Sequence, residues 1–320
     1  MKKNQSAMTA EKQYEYSKAQ GYADQPKTWK TMTKSEKRER IRSCLFLIPS
    51  LIGVLVFFVI PFGIVIRYAL IDNPVRQQFV FLDNFKYAFS NSSFLLALKN
   101  TGIFTAIAVP MAVLIPLLLA LFLSEKLPGK SFFRAVFISP LMVPVASVVL
   151  IWQVLFDFNG SVNQFLALFG SLPIDWFKSD SSLLVLQLLF LWKNIGYNMI
   201  LFMSALGNIP QAMTEAAVLD GANAWQSFRR IKLPYLSSSI VFVAILSIIN
   251  SFKVFREIYL LTGDHPYEAL YMLQHYMNNA FGKLDYQKLS AAALIMCAAV
   301  AVIVGIMLIV DEKLGGDVEE

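Results

Sequence analysis

Two long apolar stretches of this chain carry polar side chains near their midpoints. Polar groups are costly at that depth of an apolar helix, so they generally face a cavity or the interior of a helix bundle. Hydroxyl and amide groups beside aromatic rings can hydrogen-bond the hydroxyls of a sugar and stack on the apolar face of its ring. The candidate solute-binding residues are Trp192, Asn194 and Tyr197 in the earlier stretch and Ser247, Asn250 and Ser251 in the later one. Hydrogen bonding between helices remains an alternative role for such residues.

Charged residues in the same two stretches leave the charge of the solute open. Lys193 lies in the earlier stretch, and Lys253, Arg256 and Glu257 lie towards the end of the later one. Lys253 and Glu257 are four residues apart, which allows them to pair on one face of a helix. An unpaired Lys193 could attract an anionic solute, such as a uronate-containing oligosaccharide or a sugar phosphate. Its long side chain could instead reach water or another subunit.

The sequence lacks the residue groupings of a membrane-embedded enzyme. It contains no HExxH or GxSxG motif and no pair of carboxylates within an apolar stretch, which argues against a protease or a transferase. The two histidines, His265 and His275, are ten residues apart, and no acid or cysteine spacing around them makes a metal site. We therefore expect no catalytic residues and no metal site, and a structural or solvent-exposed position for both histidines.

Residues 215–234, EAAVLDGANAWQSFRRIKLP, form a polar segment between two apolar stretches. The segment predicts two short helices joined at a tight corner. Gly221 supplies the positive φ that ends the first helix, and Asn223 caps the second together with Gln226 three residues later. Pro234 marks a turn of the chain into the next apolar stretch.

Both predicted helices offer surfaces to another protein. Ala216 and Ala217 are small enough to let a partner approach the first helix closely. The second helix carries an apolar stripe that could dock into a groove of a partner. This stripe comprises Trp225, Phe228 and Ile231.

The same segment resembles the EAA loop of bacterial ABC importer permeases. Seven positions match that loop in residue type and spacing, namely Glu215, Ala216, Ala217, Gly221, Ile231, Leu233 and Pro234. In the resembling family the loop inserts into a cleft of a separate ATPase subunit and carries its motion into the membrane. The resemblance therefore implies that these seven residues couple the chain to an ATPase.

From about residue 45 onwards the chain is similar to sugar permeases of the maltose-transporter type, and closest to the subunit that contacts the sugar. The resemblance implies an all-α, type I ABC importer permease fold, with sugar contacts at positions that match Tyr197, Ser247 and Ser251. One departure is the segment 262–266, where this chain has TGDHP and the family commonly has TGGGP. The extracellular opening of the permease is therefore expected to differ chemically from that of other members of the family.

The resemblance also implies the partners of the chain. These are a second, homologous permease subunit, two copies of a cytosolic ATPase subunit, an extracellular or periplasmic solute-binding protein, and the sugar itself. ATP and Mg would be bound by the ATPase, so no cofactor is expected in this chain. Membrane lipid would surround it.

The composition indicates a membrane-embedded chain. Of its 320 residues 56% are hydrophobic, and the mean hydropathy is +0.54. A bilayer core about 30 Å thick takes about 20 apolar residues per helix, which predicts a polytopic protein with six transmembrane helices. They are placed at 44–70, 97–123, 133–156, 182–206, 236–262 and 288–310. The predicted domains are a flexible cytoplasmic arm 1–42, a transmembrane permease domain 43–312 with its coupling loop 207–236, and a cytoplasmic tail 313–320.

Basic residues set the predicted orientation. Eleven of the 28 lysines and arginines precede the first span, and the segments on the side of the termini carry 18 against 6 in the opposite loops. The positive-inside rule then places both termini and the 215–234 segment in the cytoplasm. The predicted location is the bacterial cytoplasmic membrane, and the net charge of +6 is a topology signal that requires no nucleic-acid partner.

These observations and the resemblance predict the permease subunit of an ATP-driven importer for a di- or oligosaccharide delivered by an extracellular binding protein. The same machinery could carry an anionic sugar. An ion-coupled secondary transporter is a further alternative, but it requires acids within the spans, where Glu257 is the lone candidate. The chain itself is expected to be a transport subunit and not an enzyme.

Overall fold

The computed structural model of the protein describes residues 33–124 and 129–315. Residues 1–32 of the predicted arm and residues 316–320 of the predicted tail lie outside the described residues. The described chain consists of helices and their connections, with one isolated antiparallel bridge between Ile71 and Phe79. The predicted all-α fold class is confirmed.

The first unit of the described chain ends at Ile64. It contains helix α1 (Lys34–Val54), a π-helical turn (Leu55–Val59) and the start of α2 (Ile60–Ala69). The helix begins within the predicted arm 1–42, so residues from Lys34 onwards continue directly into the first candidate span.

The second unit, from Val65 onwards, contains the remaining elements. They are α3 (Asp83–Ser90), α4 (Ser92–Ser124), α5 (Lys130–Met142), α6 (Val145–Leu155), α7 (Ser161–Ala167), α8 (Ser182–Gly207), α9 (Gln211–Leu219), α10 (Ala224–Ser227), a π-helical turn (Phe228–Lys232), α11 (Leu233–Phe252), α12 (Phe255–Thr262), a 3-10 turn (Glu268–Leu270), α13 (Leu273–Gly282) and α14 (Tyr286–Gly315).

Five helical stretches of the described residues are long and apolar enough to cross a membrane, and a bent pair raises the number to six. The five are Lys37–Ala69, Ser92–Ser124, Ser182–Gly207, Ala224–Thr262 and Tyr286–Glu312. The predicted third span, 133–156, is the bent pair: α5 and α6 meet at an angle of 101°. Pro144 explains the break, because a proline disfavours helical geometry in the preceding residue, and Val143 is extended.

Helix α8 packs against α4, α5 and α11, and α11 also packs against α4 and α14. Apolar burial drives helix association weakly in lipid, so close approach and van der Waals contact matter more. Ala108, Ala112 and Ala120 of α4 are fully buried and permit such close approach. Larger side chains of α4, α8 and α11 fill the shared core, namely Val113, Leu117, Met199, Phe202, Val243 and Ile248.

Polar side chains of α4 fix the segment that precedes α13. Asn100 Nδ2 donates hydrogen bonds to the backbone oxygens of Glu268 at 2.6 Å and Tyr271 at 3.1 Å, and the Leu273 N–H donates to Thr101 Oγ1 at 2.9 Å. These contacts satisfy backbone groups that would otherwise be buried without partners.

The two histidines occupy different environments. His265 is exposed, whereas His275 of α13 is 1% exposed and its ring lies 4.6 Å from the ring of Phe255. The Met272 N–H donates to His275 Nδ1 at 3.4 Å, which requires a neutral imidazole. Burial lowers the pKa of His275 from its ordinary 6.5 to about 4, against a smaller opposing effect of Asp264.

We expect an alanine at Gly196 to disrupt the contact between α8 and α5. An added Cβ would overlap the carbonyl oxygen of Phe137, and Ile138 Cα would lie 3.0 Å away. Gly196→Ala should therefore lower the free energy of unfolding by about 1–3 kcal/mol or more, measured as a lower thermal midpoint in detergent. Gly102→Ala is the control, because nothing lies within 4 Å of its added Cβ. Equal midpoints for the two variants would contradict this packing.

We expect acid to destabilise the fold through His275. Its pKa is lower in the folded chain than its ordinary value, so the stabilisation is complete above pH 6.5 and is lost as the pH falls towards 4. The thermal midpoint of the wild type should fall over this range, and His275→Gln should show a smaller fall. His265→Gln, which changes the exposed histidine, should behave like the wild type. The idea fails if both variants keep the full pH dependence.

Candidate functional site

A cavity of about 180 Å³ lies where α8, α11 and α12 meet. Its polar lining comprises Lys193, Asn194, Asn250, Lys253, Arg256 and Glu257. Two of the six candidate solute-binding residues thus line one cavity. They are joined to each other, since Asn250 Nδ2 donates to Asn194 Oδ1 at 3.1 Å and Asn194 Nδ2 donates to the Phe190 backbone oxygen at 2.8 Å.

The charged residues of this cavity form an ion pair between two helices. Lys193 Nζ of α8 donates to Glu257 Oε1 of α12, and Arg256 Nη2 lies 3.6 Å from the same oxygen. The Glu257 side chain is 7% exposed, and its Oε2 is buried without a hydrogen-bond partner. The expected pairing of Lys253 with Glu257 is replaced by this contact. The helix is interrupted between α11 and α12, which removes the continuous face on which two residues four apart would meet.

Ser247 and Ser251 are buried at helix contacts outside this cavity lining. Asn198 Nδ2 donates to Ser247 Oγ at 3.1 Å and to the Ala112 backbone oxygen at 2.8 Å. The hydroxyl oxygens of Ser251 and Thr105 are 3.0 Å apart. These bonds connect α11 to α8 and to α4. Sequence reasoning missed Asn198 and Thr105, although an amide and a hydroxyl within apolar spans were the available signal.

Trp192 and Tyr197 lie on α8, and each is 39% exposed. Neither lines the cavity with Asn194 and Asn250. The Trp192 ring lies 6.4 Å from that of Trp152 on α6, which stacks in turn on Phe156 at 5.1 Å. Both side chains therefore keep a surface that the described residues leave uncovered.

A second cavity, of about 530 Å³, lies at the C-terminal ends of α6 and α12. Its lining is mixed and includes Gln153, Phe156, Asp157, Asp175, Phe177, Lys178, His265 and Tyr267. Gln153 Nε2 donates to the backbone oxygen of Leu261 at 3.1 Å and so ties α6 to the end of α12. The negative charge of Asp180 raises the pKa of Tyr267, whose hydroxyl donates to that carboxylate at 3.3 Å.

The segment that resembles the EAA loop folds as two helices around a corner, as predicted. Helix α9 ends before Gly221, which has a φ of +76°. Asn223 Oδ1 accepts from the Gln226 N–H at 2.8 Å, and Gln226 Oε1 accepts from the Asn223 N–H at 2.9 Å. Glycine is the residue that adopts this backbone geometry without strain, and the reciprocal bonds cap α10.

The predicted turn at Pro234 is absent. The helical segment continues without a break from Ala224 through Pro234 to Phe252, and the π-helical turn at residues 228–232 directly precedes the proline. There the Leu233 N–H donates to the Phe228 backbone oxygen, five residues back. A widened turn accommodates a proline, which lacks an N–H and crowds the carbonyl four residues before it. Pro61 follows the π-helical turn at residues 55–59 in the same register.

The corner exposes apolar side chains. Val218 is 71% exposed, Leu219 is 88% exposed and Trp225 is 65% exposed. Of the seven EAA positions, Glu215, Ala216, Gly221 and Leu233 are exposed, whereas Ala217, Ile231 and Pro234 are half-buried. Exposed apolar residues clustered on a soluble surface mark a site of protein interaction.

A family model described as "Binding-protein-dependent transport system inner membrane component" matches residues 88–316. The chain belongs to this family. It is therefore a membrane protein and a transport component, and it is not an enzyme. The EAA-like corner and the cavity both lie within the matched residues.

Alignments with curated relatives extend over most of the chain. It is 29% identical to the trehalose/maltose transport system permease protein MalF of Thermococcus litoralis over 260 residues, which is 79% of this chain and 88% of the relative. It is 33% identical to the arabinooligosaccharides transport system permease protein AraP of Bacillus subtilis over 225 residues, which is 68% of this chain and 71% of the relative.

A solved structure shares the fold. It is a bacterial alginate ABC transporter in complex with an alginate pentasaccharide-bound periplasmic protein, and the matched chain aligns with a TM-score of 0.76 at 22% identity. The alignment covers 88% of this chain and 97% of the other. The predicted ABC importer permease fold is confirmed.

We expect the Lys193–Glu257 pair to stabilise the bundle. Lys193→Met would leave the buried carboxylate with only the more distant Arg256, at a cost of roughly 3–5 kcal/mol. The double variant Lys193→Met/Glu257→Leu should recover most of this loss, because no buried charge remains unpaired. Chemical unfolding of the purified variants in detergent measures both values.

The control is Lys86→Met, which breaks the exposed Lys86–Asp83 pair of α3. Exposed pairs contribute about 0–1 kcal/mol. A loss for Lys193→Met no larger than that for Lys86→Met would show that the pair has no structural role.

Proposed function

We propose that this chain is a membrane-spanning permease subunit of an ATP-driven importer that translocates a di- or oligosaccharide delivered by an extracellular or periplasmic binding protein. The observation that carries the proposal is the EAA-like corner, formed in a chain that belongs to the binding-protein-dependent transport family. The named substrates of the two relatives, trehalose or maltose and arabino-oligosaccharides, support a glycan as the solute.

The corner would be the contact with the ATPase. Of its seven EAA positions, the first four lie on α9 or just after it, Ile231 lies in the π-helical turn, and Leu233 and Pro234 begin α11. Val218, Leu219 and Trp225 expose apolar surface where α9 and α10 meet. An apolar helix face of this kind fits a groove in a partner. ATP binding can move the permease only if the ATPase holds one arrangement of this corner more tightly than another. ATP and Mg are then bound by the ATPase and not by this chain.

The mid-span cavity would contribute to the solute path. Its volume of about 180 Å³ is below the roughly 300–1,000 Å³ of ligand pockets, so one subunit offers only part of a site for an oligosaccharide. The exposed surfaces of Trp192 and Tyr197 are available to a second permease subunit or to the solute. Both the second subunit and the solute-binding role of these residues belong to the proposal.

Ser247 and Ser251 would bind solute only in a different arrangement of the helices. Their hydroxyls are engaged with Asn198 and Thr105, and contact with a solute requires α11 to move away from α8 and α4. Transport provides such a rearrangement, since the spans must open alternately to the two sides of the membrane. The two serine hydroxyls would then lose hydrogen bonds to other helices and gain hydrogen bonds to the solute. This replacement would limit the free-energy cost of the movement.

The orientation follows from the distribution of basic residues. Both termini and the EAA-like corner would lie in the cytoplasm of a bacterial cell, and the binding protein would dock at the opposite end of the bundle. An ion-coupled mechanism would need a coupling acid within the spans, and Glu257, the acid that lines the mid-span cavity, is engaged by Lys193.

The proposal is tested by uptake. The chain is reconstituted in vesicles with its second permease subunit, ATPase and binding protein, and accumulation of labelled oligosaccharides is measured with and without internal ATP. We expect uphill accumulation only with ATP and the complete set of subunits. Accumulation by this chain without any ATPase would refute the proposed function.

We expect the backbone at Gly221 to be essential for coupling. Gly221→Val would place a β-branched residue at a φ of +76°, a strain of about 1–3 kcal/mol, and should lower solute-stimulated ATP hydrolysis about tenfold or more. Gly221→Asn is the matched control, because asparagine tolerates this conformation better. Nothing lies within 4 Å of an added Cβ there, so the two variants differ mainly in backbone strain. Unchanged coupling in Gly221→Val would contradict the role of the corner.

A further inference from the structure

We propose that the cavity between α8, α11 and α12 is a subsite for an anionic group of the solute, a carboxylate or a phosphate. The proposal rests on the proposed import function and assigns a substrate class to it: sugar acids or sugar phosphates. It depends on the charges that line the cavity and on how they are paired.

The lining of the cavity carries more positive than negative charge. Its three cations are Lys193, Lys253 and Arg256, and Glu257 is its acid. The direct hydrogen bond from Lys193 to Glu257 compensates one charge of each sign. The positive charges of Lys253 and Arg256 therefore have no equivalent counter-charge among the described residues that line the cavity.

The two remaining cations lie beside the ion pair and at the helix break. Arg256 Nη2 lies 3.6 Å from Glu257 Oε1, beyond hydrogen-bond distance, so its guanidinium stays close to the carboxylate and keeps donors available. Lys253 follows the last residue of α11, at the interruption before α12. An interruption of a helix within a span is tolerated where it lines a cavity. The chain thus places Lys253 at the helix break and Arg256 near the start of α12, and both residues line the cavity.

Neutral polar groups beside these cations fit the remainder of a sugar acid. The joined amides of Asn194 and Asn250 line the same cavity and retain further hydrogen-bonding capacity. Glu257 Oε2 also lacks a hydrogen-bond partner, but it is buried, so a solute hydroxyl would reach it only if the lining moved. The limited volume suits one charged group and part of its ring, with the rest of an oligosaccharide outside this subunit.

The alternative source of negative charge is an acid of the second permease subunit. Lys253 and Arg256 are both exposed in this chain, so such an acid could reach them. The two possibilities differ in one measurable property. Only an anion subsite makes the preference for charged over neutral solutes depend on these two side chains.

The experiment measures that preference in the complete reconstituted importer with its own binding protein. Matched pairs of labelled probes are used: galacturonate and galactose oligosaccharides of equal length, and glucose 6-phosphate with glucose. Uptake of the charged member is divided by uptake of the neutral member for the wild type, Lys253→Met and Arg256→Met. Because the binding protein is the same throughout, a change in this ratio arises in the permease.

We expect the wild type to prefer a charged member, and each methionine variant to lower the ratio about tenfold, which corresponds to about 1.4 kcal/mol. Lys253→Arg should retain the preference, since it keeps the charge. Lys99→Met, which removes an exposed lysine of α4 outside the cavity lining, should leave the ratio unchanged.

Three results would overturn the subsite. A wild type that prefers the neutral members excludes it, and so does a charge preference that survives both methionine variants. Reduced assembly or reduced basal ATP hydrolysis in the methionine variants, with an unchanged ratio for the uptake that remains, identifies the two cations as contacts to the second subunit. Failure to import any probe while ATP is hydrolysed would instead count against the proposed function, and the subsite would fall with it.

Discussion

A polar group buried within a membrane span must find its partner inside the protein, because lipid offers none. This constraint fixes how the helices of this chain face one another. Asn198 joins α8 to both Ser247 and the backbone of Ala112, Thr105 meets Ser251, and Lys193 meets Glu257. Each contact joins helices that are distant in sequence. The close approach of α8 to α5 at Gly196 adds a further constraint. Together these contacts restrict the rotation of each helix about its own axis.

Interruptions of helices coincide with the cavity and with the exposed corner. The break between α11 and α12 adjoins the mid-span cavity, the bend at Pro144 separates α5 from α6, and Gly221 forms the exposed corner. Regular helix would satisfy the backbone more simply at all three points. The departures occur where the chain lines a cavity, packs two short helices or exposes apolar side chains.

The corner and the cavity share one continuous helical segment. Residues 224–252 run from the capped start of α10, through the π-helical turn, to Asn250 at the cavity. At 1.5 Å per residue this segment is about 43 Å long. Because the helix is unbroken at Pro234, a displacement at the end near the corner can be passed along a single helical element. The geometry is therefore suited to the coupling that the proposed function requires.

The sequence by itself determined the features that depend on local preferences. Hydropathy located the spans, a glycine and a capping asparagine determined the corner at Gly221 and Asn223, and the spacing around Glu215 indicated the family. Only the tertiary structure decided that Glu257 pairs with Lys193 and not with Lys253, that Ser247 and Ser251 lie at helix contacts, and that the third span bends by 101°. These outcomes depend on the rotation and crossing of helices far apart in the chain. Residue spacing within one helix carries no information about which face of another helix it will meet.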